Sequence, residues 1–419
     1  MRGRIFPSTL TGRFLLVGIA FALYILGAIL YTNEGIYPYF TRPKSEDSQT
    51  IPYTDSPKSN APVIAPPKVL LVTAWFPVQN AQFTEEDYAQ WLPNFFGSNK
   101  NDIFLYTTPQ YENKFRSLRG HNLTLIIDTR FDSPFGIPPL KGKEDSYKLN
   151  FKKDRAKAKS SIDLYANRHA KPFFLYEAVS RLNHSVYDFA FWSDAGSFRE
   201  GHVYTEWPSW SRLQEVWEMG SKLSETPKED LIFIPSSHGP HPSMTFWTEA
   251  MGPIDNDISI ASFWGGTPKA LDWFTRAYYA YHDDYLSLDI FIGKNQALIN
   301  SLFFLFPERF ITVWTNKPDS VSHSESKAKS QCGANLRFYY EWWLAGTEER
   351  KAMEDMWLRK ASAWRWWGWW NPIDKTPCPM EEVLGIETVL RSKLGIKWKP
   401  PGRAVDIPEK TTWATGLRL

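Results

Sequence analysis

Residues 187–196 read YDFAFWSDAG. Apolar and aromatic residues fill the first half, and the stretch closes on an Asp-Ala-Gly turn with Arg199 just beyond. Such a run reads as a buried strand that delivers a carboxylate at its carboxyl end. In open α/β sheets, ligands collect at that end of the strands. A carboxylate placed there can hold a divalent cation, whose other hard oxygen ligands come from phosphate and water. Gly196 would let the backbone approach a ligand closely, and Arg199 would neutralise phosphate charge. A strand ending in a plain Asp-containing turn has the same letters, so taken alone the stretch admits both.

Upstream, KVLLVTAWF (68–76) is a continuous apolar run rich in β-branched residues, as a buried parallel strand requires. DIFLYTT (102–108) and LTLIIDT (123–129) read as shorter strands, with helical stretches between, such as the one around Glu85–Trp91. A mixed-charge stretch from Lys148 to Leu182 is interrupted at Lys171-Pro172, and its later part, FFLYEAVSRL, has helical spacing. Downstream come two more strand-like runs, DLIFIPSS (230–237) and ISIASFWGG (258–266), then helices expected over Pro268–Tyr281 and Asn295–Phe306. Strands alternating with helices imply an α/β fold whose sheet is mostly parallel and flanked by helices. Past about residue 335 the pattern turns helical, through RFYYEWWLAG to the block WRWWGWW (364–370). Tryptophans at helical spacing usually pack on a sheet; an exposed row would stack on a glycan or sit at a bilayer interface.

The chain has 419 residues, 48 Lys plus Arg against 46 Asp plus Glu, and a net charge of +2. That balance argues against nucleic acid as the partner. Hydrophobic residues at 43% exclude wholesale disorder. Two cysteines, Cys332 and Cys378, are too few for a disulfide framework or a cysteine-rich zinc site.

From Phe14 to Asn33 no residue is charged. About twenty helical residues cross a hydrocarbon core of roughly 30 Å. Arg2, Arg4 and Arg13 precede this run and Glu34 follows it, which keeps the amino terminus cytosolic. The expected layout is a cytosolic tail (1–13), a transmembrane signal-anchor (14–33) and a Pro-rich stem (34–67). A lumenal domain (68–335), a helical Trp-rich cover (336–400) and a carboxyl-terminal arm (401–419) follow. A cleaved signal peptide has a shorter apolar region. The sequons at Asn122 and Asn183 agree with a lumenal domain, and in that oxidising space Cys332 and Cys378 are able to pair.

The chain resembles the bacterial HtrL/YibB-type proteins and their eukaryotic relatives over roughly residues 68 to 315. The resemblance is carried by a Lys-Pro on a helix (Lys171, Pro172) and by a W-x-D-x-G strand end with a nearby arginine (Trp192, Asp194, Gly196, Arg199). A Gly-Gly strand end (Gly265, Gly266) and a Gly-x-x-Gln helix start (Gly293, Gln296) complete it. It implies a GT-A-like glycosyltransferase that binds a nucleotide-diphospho-sugar donor at the sheet's edge with Mn²⁺ or Mg²⁺. By similarity Asp194 stands for the metal-binding acid of an Asp-x-Asp motif, of which Trp192 and Ser193 leave one acid. Thr73 and Trp75 would lie near the nucleobase and ribose, and Lys171 and Arg199 would bind diphosphate or sugar. Gly265 and Gly266 would leave room for the sugar; a tight turn before Thr267-Pro268 also favours glycine.

An enzyme that inverts configuration needs a general base, and Gly293-Lys294-Asn295-Gln296 offers no carboxylate. Either the enzyme retains configuration, with Gln296 and Asn295 facing the anomeric carbon, or the base lies among Asp255, Asp257, Asp283, Asp284 and Asp289. Most of those acids read as a solvated loop and helix face. His238, His241 and His323 sit in expected loops at a spacing that matches no zinc motif. The anchor, stem and lumenal domain share the layout of Golgi glycosyltransferases, so a Golgi or ER membrane, a glycan or glycoprotein acceptor and a homodimer are compatible with it. The rival reading is a non-catalytic glycan-binding or scaffolding protein with a degenerate form of the same fold.

Overall fold

The computed structural model describes residues 68–76, 83–155, 160–182, 186–316, 339–363, 378–411 and 413. The anchor, the stem, Asn183, His323, Cys332 and the block 364–370 lie outside the described residues. Among the described residues no helix is long and apolar enough to cross a membrane.

Among the described residues eight strands form one sheet: β1 Val69–Trp75, β2 Asp102–Thr107, β3 Leu125–Asp128, β4 Phe189–Ser193, β5 Ile232–Phe233, β6 Phe263–Gly266, β7 Phe310–Thr312 and β8 Leu384–Gly385. Their order is β3-β2-β1-β4-β6-β5-β7-β8. The half built from β3, β2, β1 and β4 is parallel throughout. The other half is mixed, because β6 runs antiparallel to both β4 and β5, and β8 antiparallel to β7. The expected 230–237 strand shrinks to two residues, since Pro235 has no N–H for the ladder. Ser236 still bridges to Ser259 and Trp314. Similarly, only the end of 258–266 is strand, and the amide of Asn300 caps its start by accepting from the Ser259 N–H at 3.1 Å.

Helices cover both faces. One face carries α4 Ile162–Arg181, α6 Pro268–Ser287, α7 Asn295–Leu305 and α10 Ile386–Leu394, packed on Leu70, Val72, Phe104 and Trp192. The other carries α1 Glu85–Ser98, α2 Glu112–Arg119, α5 Trp210–Ser224, α8 Tyr339–Trp343 and α9 Thr347–Ala363, over Leu71, Leu105 and Phe191. The short α3, Glu144–Phe151, lies beside α4. The alternation of β1 residues between the two cores follows from the period-2 pleat.

The interruption expected at Lys171-Pro172 does not occur: α4 runs straight through it. A proline removes one helical N–H and crowds the preceding carbonyls. Here α6 supplies hydroxyl donors to that stretch of α4, with Tyr279 donating to the His169 carbonyl at 2.7 Å and Thr275 to the Pro172 carbonyl at 3.3 Å. The described residues of 336–400 do not form a separate cover either. They split across both faces and add β8 to the sheet edge. Beyond it, Trp413 packs edge-on against Phe173 and Tyr279, and Thr411 meets the Tyr176 hydroxyl at 3.1 Å.

Candidate active site at the β1–β4 crevice

The chain leaves β1 for β2 and β3 on one side and returns to β4 on the other, so the carboxyl ends of β1 and β4 flank a topological switch point. Asp194 follows directly after β4, half-exposed at 39%. Its backbone is fixed by a bond from its N–H to the Ser262 carbonyl (2.9 Å) and from the Ser197 N–H to its own carbonyl (2.9 Å). Its Oδ1 accepts from the Lys171 ammonium at 2.7 Å and from the Trp192 indole N–H at 2.6 Å. Lys171 is buried, lies 5.5 Å from the Trp192 ring centroid and reaches the Ala261 carbonyl at 3.4 Å. The strand places Trp192 and Asp194 on one face by alternation, and α4 holds Lys171 over them. These three residues, which the sequence singled out, do converge.

On the opposite side of Asp194 stands an aromatic wall. Half-buried Trp75 meets Tyr88 at 4.8 Å between ring centroids, Tyr88 meets Trp91 at 5.6 Å, and Phe83 closes on Trp91 at 5.0 Å. The Arg199 guanidinium lies 4.3 Å from the Phe83 ring and 4.7 Å from Trp91, a cation–π arrangement. Burial raises the Tyr88 phenol pKa; the charge of Asp194 adds to it and Arg199 partly offsets it. A capping box of Thr84 and Asp87 sets the start of α1 and so the place of Tyr88. From the carboxyl-terminal half, burial pushes the Glu341 carboxyl well above its ordinary range; Glu200 adds to the rise and Arg199 opposes it.

Several expected roles are corrected. Gly196 does not open the backbone to a ligand. A Cβ there would stand 2.9 Å from the Tyr88 ring, so the glycine makes room for α1. Thr73 is fully buried with its hydroxyl unpartnered among the described residues and does not line the crevice; Trp75 does. Gly265 and Gly266 pair with Phe191 and Ala190, at the far end of β4 from Asp194. At about 3.3 Å per residue they lie roughly 10–13 Å from it. Their room is filled by protein: a Cβ would meet the Ala190 carbonyl at 2.2 Å and the Leu231 carbonyl at 2.7 Å, respectively. They allow close strand pairing and leave no space for a sugar. Gln296 donates an amide N–H to the Ser259 carbonyl at 2.6 Å, which fixes the position of its half-buried side chain. Asn295 is buried, and its Nδ2 has no partner among the described residues.

The alternative acids stay where a solvated surface would put them. Asp255 and Asp257 are exposed, Asp283 pairs with Lys143 and His282, and Asp289 pairs with Lys153 at 2.5 Å. Asp284, half-buried on α6, accepts from the Ser287 hydroxyl at 2.7 Å through its backbone carbonyl. His238 bonds Ser237 and Asn316, and His241 caps a short 3₁₀ turn. Asn122 is exposed ahead of β3, where a glycan has room. Cys378 is disulfide-bonded, while its expected partner position, 332, is outside the described residues.

The expected Mn²⁺ or Mg²⁺ finds a poor donor set. Asp194 is a single carboxylate with Oδ1 already committed to an ammonium and an indole. Among the described residues no three or more His, Cys, Asp and Glu converge. Even for a cation that takes most of its oxygens from phosphate and water, a lone carboxylate with one oxygen already doubly engaged is a poor fit.

Sequence reasoning missed Tyr88, Trp91, Arg168 and Glu341. An aromatic in a helix looks like core from sequence, and its proximity to Asp194 follows only from the strand order.

No family model matches the chain, and no curated protein does. Among solved structures, it is similar to the mannosyltransferase Ktr4p from S. cerevisiae, at 12% identity and a TM-score of 0.36, over 73% of this chain and 89% of that one. A complex of that protein with GDP gives 11%, 0.35, 61% and 71%. Core-mannan synthase A (CmsA/Ktr4) from Aspergillus fumigatus, in an Mn/GDP form, gives 11%, 0.33, 64% and 79%. A likeness of this order carries no argument about ligand or reaction.

Proposed function

We infer that the protein is a glycosyltransferase of GT-A-like type, moving a sugar from a nucleotide-diphospho-sugar to a glycan or glycoprotein acceptor. One observation carries the reading: a half-exposed carboxylate, locked by an ammonium and an indole, stands at the switch point of the sheet beside an aromatic wall. A nucleobase stacks on such rings, of which Trp75, Tyr88 and Phe83 are half-buried and Trp91 is buried. The Asp194 carboxylate accepts hydrogen bonds from hydroxyls of the donor sugar and holds Lys171 in line with the leaving group. When the anomeric C–O bond breaks, negative charge gathers on the departing diphosphate, and fixed cations stabilise it without reorganising. The acceptor hydroxyl then forms the new bond and gives its proton to the diphosphate oxygen, which favours retention of configuration. The HtrL/YibB resemblance supports this reading, and with it we propose a single-pass type II placement with residues 68–419 in the Golgi or ER lumen.

The non-catalytic, glycan-binding alternative draws support from Gln296, whose amide N–H bonds the Ser259 carbonyl inside the protein. Release of nucleoside diphosphate from a panel of nucleotide sugars separates the two. The enzyme reading predicts turnover with at least one donor, and an Asp194→Asn variant that folds normally while losing about 100-fold or more in kcat. Full activity in that variant contradicts the role of Asp194; no turnover with any donor leaves the binding protein.

A further inference from the structure

We propose that the donor's diphosphate is held by a cradle made of protein alone, formed by Lys171, Arg168, Asn295 and the amino terminus of α7, with no divalent cation. The proposal rests on the transferase reading of the same site and names what replaces the metal there.

The parts are contiguous. His169 Nε2 lies 3.0 Å from the Gly293 carbonyl, so the segment entering α7 touches α4. Gln296 bonds the Ser259 carbonyl and Lys171 the Ala261 carbonyl, so both helices meet the same strand approach. On α4, Lys171 lies a turn from both Asn167 and Arg168, four and three residues on.

Three nitrogens in this neighbourhood are buried without a hydrogen-bond partner among the described residues: Asn167 Nδ2, Arg168 Nη1 and Asn295 Nδ2. Asn295 as a whole is only 4% exposed. All three are donors. A buried donor left unmade is costly, and native proteins leave few of them. A ligand rich in acceptor oxygens would satisfy the set.

The helix end points the same way. Among the described residues no side chain caps α7, and no acid stands in its first turn. Its N-cap is exposed Lys294, a cation at the positive end of the helix dipole. That choice disfavours the free helix and favours a bound anion. The carboxylates near Arg168 are already engaged: Asp194 by Lys171 and Trp192, and Asp154 by the Tyr165 hydroxyl at 2.6 Å. With Asp194 compensated by Lys171, a divalent cation has little left to bind. The same ammonium can face a phosphate oxygen directly.

Inorganic pyrophosphate is the probe, titrated calorimetrically into the full chain with Mn²⁺ and again after chelation with EDTA. The cradle predicts one site whose Kd changes less than about twofold on chelation, and weakens about tenfold or more in Arg168→Gln and in Asn295→Ala. Melting temperature checks that each variant folds, and either folded variant suffices. Absence of pyrophosphate binding, a loss of about tenfold or more on chelation, or wild-type affinity in the folded variants overturns the proposal. Metal-free binding without turnover of any sugar nucleotide keeps the cradle and removes glycosyl transfer. Turnover that strictly requires Mn²⁺ keeps transfer and removes the cradle.

Discussion

At the scale of the residue, identical letters served different ends. Asp194, Lys171 and Trp192 were legible because a carboxylate at a strand end needs partners, and an ammonium and an indole are apt ones. Gly265 and Gly266 were misread, because glycine is selected wherever backbone must come close, whether to a sugar or to another strand. The structure decides for the strand, and the difference has a consequence. In Gly265→Ala the new methyl meets a carbonyl oxygen of β4 at 2.2 Å, and neither backbone can move without unzipping the β4–β6 ladder. We expect a loss of more than about 4 kcal/mol in unfolding free energy, beyond the usual range for one substitution. Urea denaturation or the soluble yield would read it. A stable Gly265→Ala protein would reopen the glycine site as a pocket.

At the scale of the element, most strands and helices were legible in apolar periodicity, and their ends were not. The α4 helix continues through Pro172 while packed along α6, whose Tyr279 and Thr275 hydroxyls bond the neighbouring His169 and Pro172 carbonyls, a tertiary contact no local reading can foresee. The contact between α4 and α6 also holds two histidines that the sequence did not single out. His169 bonds the Tyr278 hydroxyl at 2.7 Å, and His282 the Tyr147 hydroxyl at 2.8 Å; their rings lie 5.0 Å apart. Burial pulls both pKa values down, far down for His169; His282 lowers that of His169 further, while Asp283 partly restores that of His282. The folded protein therefore keeps them neutral while the unfolded chain takes up protons below about pH 6.5. Stability from this pair is full above that pH and falls as pH drops, by up to about 1.4 kcal/mol per unit for each histidine. Denaturation midpoints at pH 7.5, 6.5 and 5.5 should decline in that order, and His169→Gln should flatten the slope. A midpoint that rises on acidification, or the same slope in the variant, would contradict this origin.

At the scale of the whole molecule, the β3-β2-β1-β4 half of the sheet, with α4 and α1 on its two faces, holds the candidate site. The mixed half braces it, since β6 pairs with β4 and the Ser262 carbonyl fixes the backbone of Asp194. The carboxyl-terminal third contributes on both faces, which explains why its aromatic richness read as a cover. Its side chains reach the far ends of the sheet and the neighbourhood of Arg199. What the sequence withheld was the strand order: it brings Tyr88 and Trp91 to one side of Asp194 and Arg168 to the other, although they are distant along the chain. The central claim is that this crevice takes a nucleoside diphosphate. Calorimetric titration of the full chain with ADP, CDP, GDP and UDP, repeated with Trp75→Ala, tests it most directly. The account predicts one-site saturation by at least one of them, weakened about tenfold when the ring is removed, as the loss of a stacked base requires. Heat-silent titrations with no shift in melting temperature for all four, with or without Mn²⁺, would contradict it.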